Sequence, residues 1–248
     1  MTLLLTSSPC DNNVPGNLPI PCILDRRNGF LDVLAARWKP GSRCLIACAD
    51  PDAFDHNDEM RDTFASAFAF HHLTYKSFDV LDARSEAQAA ELVAGSDFIL
   101  LAGGHVPTQN AFFAHIGLRS LLEGYDGIIM GISAGSMNAA DVVYAQPEEA
   151  GESIDPGFER FLPGLGLTQL NILPHYQMVR DNLLDGRRLY EDITFEDSIG
   201  HAFLVLVDGS FVLEEDDTCE IHGEAYIIFS GKMIKISQEG GVAPLYGG

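Results

Sequence analysis

Short apolar runs alternate with segments of helical periodicity through the first half of the chain. The apolar runs are typical of buried strands and lie at 1–7, 43–49, 75–80, 97–102 and 127–131. The helical segments lie at 58–69, 86–94 and 110–122. Because strands that alternate with helices build β–α–β units, the pattern predicts an α/β fold: a mostly parallel sheet with helices on both faces.

The pattern changes in the second half of the chain. A further strand at 169–173 ends at Pro174 and His175. After residue 200, short strands joined by tight turns are predicted at 202–207, 210–213 and 225–229. We expect them to form an antiparallel extension of the same domain. The stretch 144–163, rich in Pro, Gly and Glu, predicts a surface loop beside the site.

Length and composition fit one globular domain over residues 1–248. Of the 248 residues, 46% are apolar and 21% are charged, which is enough for one sizeable core. No apolar run approaches the roughly 20 residues of a membrane helix, and the apolar start lacks the basic region of a signal peptide. We therefore expect a cytoplasmic protein.

Charge and cysteine content narrow the possible partners and cofactors. The net charge of −21 at pH 7 argues against DNA, RNA and anionic membranes, because phosphate binding depends on Lys and Arg. A homodimer is left open. The five cysteines are an odd number without tightly paired spacing, which predicts buried thiols in a reducing compartment and no zinc site. No metal or other cofactor is expected.

The strongest chemical signal is the Gly-x-Ser-x-Gly sequence at 131–135, centred on Ser133. A buried strand enters it and a run of small, helix-compatible residues leaves it. That context predicts a nucleophile elbow, in which a sharp turn projects the serine Oγ clear of the sheet. The N-terminus of the helix that follows also stabilises negative charge that develops beside Ser133.

Two further segments complete a candidate hydrolase site. The strand at 97–102 runs into Gly103 and Gly104, whose backbone N–H groups can face a ligand. We expect the N–H groups of Gly104 and Ala134 to form an oxyanion hole. His175 follows the strand at 169–173, where open α/β sheets place ligands, and is the expected general base. His105 is the only serious competitor for that role.

A catalytic triad also needs a carboxylate to orient the imidazole, and the sequence offers several. Glu148 and Glu149 lie between Ser133 and His175, Asp208 lies in a later turn, and Asp141 follows the elbow. The residues alone leave this choice open.

Together these segments resemble the peptidase E and cyanophycinase family of serine peptidases, which have a flavodoxin-like, class I glutamine amidotransferase-like fold. The resemblance spans roughly 95–215 and rests on the segments at 103–109, 131–138, 173–176 and 207–210. It implies a Ser133 nucleophile, a His175 base and an oxyanion hole at Gly104 and Ala134. It points to Glu148 as the third member of the triad, with Glu149 and Asp208 as alternatives.

The resemblance further implies a serine peptidase for small peptides, such as a dipeptidase that prefers N-terminal Asp. An acidic substrate would need a local cation, and Arg188, with Arg180 and Arg187, is the nearest dense group of Arg residues. Further candidates for substrate contact are His105, Gln109 and Asp208.

Three other functions remain as alternatives of unequal weight. An amidotransferase is disfavoured because its nucleophile is Cys, where this chain has Ser133. An α/β-hydrolase esterase is disfavoured because its His usually lies near the C-terminus. A non-catalytic binding protein with the same fold would keep the architecture but not the chemistry.

Overall fold

The computed structural model of the chain describes residues 1–11 and 20–246. The first group of strands is β1 (Thr2–Thr6), β2 (Ser42–Ala47), β3 (Tyr75–Leu81), β4 (Phe98–Leu101), β5 (Ile128–Ile132), β6 (Val142–Tyr144), β7 (Phe161–Pro163) and β8 (Asn171–Leu173). The second group is β9 (Leu183–Leu184), β10 (Arg187–Arg188), β11 (Ala202–Leu206), β12 (Phe211–Glu215), β13 (Thr218–His222), β14 (Ala225–Phe229), β15 (Lys232–Ser237) and β16 (Val242–Tyr246).

The helices are α1 (Phe30–Arg37), α2 (Phe54–Phe70), α3 (Ala89–Gly95), α4 (Val106–His115), α5 (Leu118–Leu121), α6 (Ala134–Asn138), α7 (Tyr176–Val179) and α8 (Phe195–Asp197). Short 3₁₀ turns lie at Arg27–Gly29 and Glu86–Gln88, and a π-helical turn lies at Leu189–Thr194. The helix predicted over 110–122 is divided in two, because Gly117 takes a left-handed conformation with φ 65° between α4 and α5. No helix within the described ranges is long and apolar enough to cross a bilayer.

The main sheet has the strand order β16-β13-β12-β1-β5-β4-β2-β3. Its five strands from β1 to β3 are parallel to one another, so their carboxyl ends meet at one edge. Alternate side chains of β1 enter different cores. Leu3 and Leu5 pack with α3, α4 and α5, and Leu4 packs with α1 and α2. The predicted parallel sheet with helices on both faces is therefore confirmed.

The strands after residue 200 are divided between two sheets. β12, which overlaps the strand predicted at 210–213, extends the main sheet in antiparallel fashion. β13 and β16, which were not predicted, continue this extension. β11, β14 and β15 instead join β8 in a second sheet of order β15-β14-β11-β8. The antiparallel strands predicted after residue 200 are therefore present, and those of the second sheet bury Phe203, Val205 and Ile228 against α6 in a third core.

The cysteines differ from the prediction at one pair. Cys10 and Cys22 form a disulfide, so the expectation of five thiols was wrong for these two. Cys44, Cys48 and Cys219 are free and buried, and burial raises the pKa of each thiol to about 12. These three are inert structural thiols.

The helix α6 packs directly on the ends of β4 and β5, and glycines make this approach feasible. A Cβ atom on Gly135 would lie 2.1 Å from the carbonyl oxygen of Leu101. A Cβ atom on Gly131 would lie 2.8 Å from Cα of Ser136. Both clashes are with backbone or with atoms next to it, so neither can be relieved by a side-chain rotation.

We predict that Gly135→Ala destabilises the protein by at least the ~1–3 kcal/mol typical of overpacking, because β4 and α6 would have to separate. Gly95→Ala is the matched control, since its Cβ would meet only the end of Arg43 at 3.8 Å. Denaturant unfolding of both variants checks this. Equal stability of the two variants would contradict the packing argument.

Candidate active site

Ser133 occupies a sharp turn between β5 and α6. Its backbone has φ 50° and ψ −113°, a region that non-glycine residues rarely adopt. The turn is held because the Ser133 N–H donates to the carbonyl oxygen of Thr6 at 3.1 Å and Met137 N–H donates to the Ser133 carbonyl at 3.0 Å. The side chain is half-buried and lines a surface cavity.

The paired glycines after β4 lie beside Ser133. Gly104 also lines the cavity, and its φ of 154° is strained for any other residue. A Cβ atom there would lie 2.5 Å from Cβ of Ala49. Neither the Gly104 nor the Ala134 N–H donates a hydrogen bond to an acceptor among residues 1–11 and 20–246. Both N–H groups are therefore free to bind a substrate oxygen.

His175 lines the same cavity and lies just past β8. Its Nδ1 is 2.7 Å from Oδ1 of Asp208, which follows β11. The two strands run parallel, with Leu173 opposite Val205, so residues that follow them meet at one edge. No hydrogen bond joins Ser133 to His175 within the described residues. Such contacts commonly tighten only when substrate is bound.

Asp208 is the carboxylate that contacts the imidazole. It is 6% exposed, and burial by itself would raise its pKa. The hydrogen bonds from His175 and Ser7 outweigh burial and hold the pKa of Asp208 below its usual value. An ionised carboxylate can only accept, so Nδ1 of His175 carries the proton and Nε2 is free to act as a base.

Ser7 is a component of the site that the sequence analysis missed. It is fully buried at the end of β1. Its hydroxyl donates to Oδ1 of Asp208 at 2.6 Å and accepts the backbone N–H of His175 at 2.7 Å. One side chain thus binds both the backbone of His175 and the carboxylate that contacts its imidazole. The position of Ser7 could have indicated this role, because it follows β1, the parallel neighbour of β5, and β5 leads into Ser133.

Glu148 does not hold the imidazole, contrary to the expectation from the resemblance. Its Oε1 accepts the Val106 N–H at 3.4 Å, and its side chain lines the cavity. The residue is exposed overall, yet loss of hydration at the cavity wall raises the pKa of its carboxyl. The nearby His105 and the Val106 N–H offset part of that shift.

His105 is engaged away from the cavity, which argues against both roles suggested for it. Its Nδ1 is 2.7 Å from Oγ1 of Thr108 and its Nε2 is 2.8 Å from Oε1 of Glu152. Both of its ring nitrogens have partners, and it is not among the described residues that line the cavity. His105, Glu149 and Glu152 lie close enough together to bind a metal ion. The Glu152 carboxylate, however, already accepts two backbone N–H groups. The expectation of a metal-free site stays a prediction.

Gln109 is a structural residue rather than a substrate contact. It is completely buried. Its Nε2 donates to the carbonyl oxygen of Ala102 at 2.8 Å, and its Oε1 accepts from Nδ2 of Asn138 at 2.9 Å. It ties α4 to the end of β4 and to α6, and has no polar atom left for a ligand.

The arginines expected to bind an acidic substrate lie outside the cavity. Arg188 is paired with Asp192, Arg187 with Glu196, and Arg180 with Asp181. No Lys or Arg is among the described residues that line the cavity. The structure therefore offers no support for Arg188 as a substrate contact.

The cavity is small and mainly apolar. Its volume is about 160 Å³, close to the ~150 Å³ that accommodates a benzene ring. Its polar wall consists of Gln146, Glu148 and Asn182. Its apolar wall consists of Val106, Met137, Pro147, Pro174, Val179, Leu183, Leu184 and Leu189. A single amino-acid side chain fits this space.

Comparison with known proteins identifies one matching family. The sequence model of peptidase family S51 matches residues 51–222, which include the cavity residues Ser133 and His175 together with Asp208. The chain belongs to peptidase family S51. Members of this family are serine peptidases, so the chain is a serine peptidase of the peptidase E type.

Solved structures show the same fold. The chain is similar to a candidate peptidase E protein from Listeria monocytogenes EGD-e, with a TM-score of 0.52 at 14% sequence identity. The match covers 95% of this chain and 97% of that protein. No curated protein sequence matches the chain.

We predict that Ser7→Ala lowers kcat about 10- to 100-fold, the loss expected for one hydrogen bond to a charged group. KM should change little, because Ser7 is fully buried and does not line the cavity. Ser8→Ala is the control, since the Ser8 hydroxyl accepts the Cys10 N–H and has no hydrogen bond to His175 or Asp208 within the described residues. Steady-state kinetics at one pH, with unfolding measured in parallel, tests this. An unchanged kcat in a folded Ser7→Ala variant would rule out the positioning role.

Proposed function

We propose that the enzyme hydrolyses small peptides through an acyl-enzyme on Ser133, with His175 as general base and Asp208 as its orienting carboxylate. The observation that carries this proposal is the 2.7 Å contact between Nδ1 of His175 and Oδ1 of Asp208, at a cavity that Ser133 also lines. In this assignment, the turn at Ser133 is a nucleophile elbow.

In the first half-reaction, Nε2 of His175 takes the proton from Oγ of Ser133 as Oγ bonds to the peptide carbonyl carbon. The oxyanion accepts hydrogen bonds from the N–H groups of Gly104 and Ala134. The imidazolium then gives its proton to the departing amine as the C–N bond breaks. In the second half-reaction, His175 takes a proton from water as the water oxygen bonds to the acyl carbon. His175 then returns the proton to Oγ of Ser133 as the ester bond breaks, which releases the acid and restores Ser133.

Asp208 contributes through its negative charge and through its hydrogen bond to Nδ1 of His175. Its ionised carboxylate keeps the Nδ1–H tautomer of His175 and stabilises the imidazolium that forms during both half-reactions. The lowered pKa of Asp208 means that this contribution persists at neutral pH and is lost as the pH falls through that pKa.

The size of the cavity supports small substrates, since it holds about one side chain. A preference for N-terminal Asp, which the family resemblance suggested, has no cation in the cavity wall to support it. The cytoplasmic location also stays a prediction, and the Cys10–Cys22 disulfide removes one argument for it.

The experiment must separate hydrolysis by Ser133 from hydrolysis by a different nucleophile. We predict that Ser133→Ala abolishes both peptide hydrolysis and covalent labelling by a neutral fluorophosphonate, and that His175→Ala is nearly as severe, because triad members act as a unit. Stability should hardly change in Ser133→Ala, since only a half-buried hydroxyl is removed.

Ser120→Ala is the matched control, because Ser120 is exposed and outside the cavity. Mass spectrometry of the labelled protein identifies the modified residue. Absence of labelling in the wild-type enzyme, or labelling that survives Ser133→Ala, would contradict the assignment of Ser133 as the nucleophile.

A further inference from the structure

The buried residues of the cavity wall are all apolar. Among the described residues that line the cavity, the buried ones are Val106, Met137, Pro147, Pro174 and Leu189. The exposed ones are Gly104, Glu148, Asn182 and Leu183. A substrate side chain that leaves solvent in this cavity therefore exchanges water for hydrocarbon contacts at the buried part of the wall.

The apolar wall is continuous with a packed core. Val106, Met137 and Leu189 belong to the third core, and Val179 and Leu184 pack against it. Val106 is 3% exposed, and Met137 and Leu189 are 5% exposed. Because close-packed side chains resist large changes of shape, the size of this part of the cavity is determined before a substrate binds.

The polar side chains of the wall offer little to an acidic substrate side chain. Nε2 of Gln146 already donates to Oγ1 of Thr194 at 2.7 Å. No Lys or Arg lines the cavity within the described ranges. A substrate carboxylate would lose hydration here without gaining a cation, which is costly.

Two residues of the apolar wall lie next to the proposed reacting groups. Met137 lies one turn of α6 after Ser133, and its N–H donates to the Ser133 carbonyl oxygen at 3.0 Å. Val106 lies two residues after Gly104, the proposed oxyanion donor. A substrate residue whose carbonyl carbon bonds to Oγ of Ser133 is held at both segments. Its side chain is therefore within reach of the apolar wall.

We propose that the cavity binds the side chain of the residue that acylates Ser133, and that it selects an uncharged aliphatic chain such as that of Leu, Ile or Met. Met137 limits the size of the chain that it accepts. The volume of about 160 Å³ is sufficient for a chain of this kind. The inference rests on the proposed Ser133 peptidase activity and names its substrate class.

The test uses alanyl, leucyl, phenylalanyl and aspartyl substrates that share one aminocoumarin leaving group. Leucyl and aspartyl side chains are similar in shape, so their comparison isolates the effect of charge. We expect kcat/KM for leucyl to be at least ~10-fold higher than for alanyl, because more hydrocarbon is buried. It should be at least ~100-fold higher than for aspartyl, whose carboxylate is left unpaired. Equal rates on leucyl and alanyl, or fastest cleavage of aspartyl, would overturn the proposal.

Two variants of the apolar wall should change the ranking in opposite directions. Met137→Ala widens the cavity and should raise kcat/KM for phenylalanyl relative to leucyl by about tenfold. Leu184→Phe, at a half-buried position, narrows the cavity and should favour alanyl over leucyl. Met233→Ala is the matched control, because Met233 packs against the same core but does not line the cavity. A common factor on all four rates in both cavity variants would contradict the proposal.

Two neutral fluorophosphonates, one with a methyl and one with an isobutyl group on phosphorus, repeat the comparison at Ser133 itself. The ratio of isobutyl to methyl labelling rates should fall in Leu184→Phe and stay at the wild-type value in Met233→Ala. An unchanged ratio in Leu184→Phe, or labelling of Ser133 without cleavage of the leucyl substrate, overturns this inference alone. If neither probe labels Ser133 in the wild-type enzyme, the proposed function itself has failed, and the inference fails with it.

Discussion

The hydrogen bond between His175 and Asp208 is the interaction on which the site depends. Neither residue is close to the other in sequence, and they meet only because β8 and β11 run side by side and end at the same edge. Ser7 connects this pair to the main sheet, since it follows β1, the neighbour of the strand that carries Ser133. The strand pairings thus bring Ser133, the proposed nucleophile, and His175, the proposed base, to the same cavity.

The second constraint is the close approach of neighbouring backbone segments around Ser133. Gly135 allows α6 to contact β4, and Gly104 allows the preceding loop to pass Ala49. Ser133 itself remains in a strained conformation that the flanking turn holds in place. The fold therefore keeps a strained backbone at Ser133 and close packing around it, and this arrangement presents the Ser133 hydroxyl to a small cavity.

The parallel core, Ser133 and His175 were predictable because apolar runs and the residues that follow them mark strand ends directly. Asp208 was one of several possible carboxylates, and choosing it required knowledge that β8 and β11 pair in a second sheet. Ser7 needed the same kind of pairing information. Arg188 was misleading, because a chain with 36 acidic and 15 basic residues offers an exposed Arg a carboxylate nearby.

The central claim is that Asp208, and not Glu148, orients the catalytic imidazole. The rate at which a neutral fluorophosphonate labels Ser133 tests it directly, because that rate requires a correctly oriented base but no charge recognition. The account predicts a fall approaching the ~10⁴-fold loss known for triad carboxylates in Asp208→Asn, and a near wild-type rate in Glu148→Gln. A severe loss in Glu148→Gln with a mild one in Asp208→Asn would contradict it.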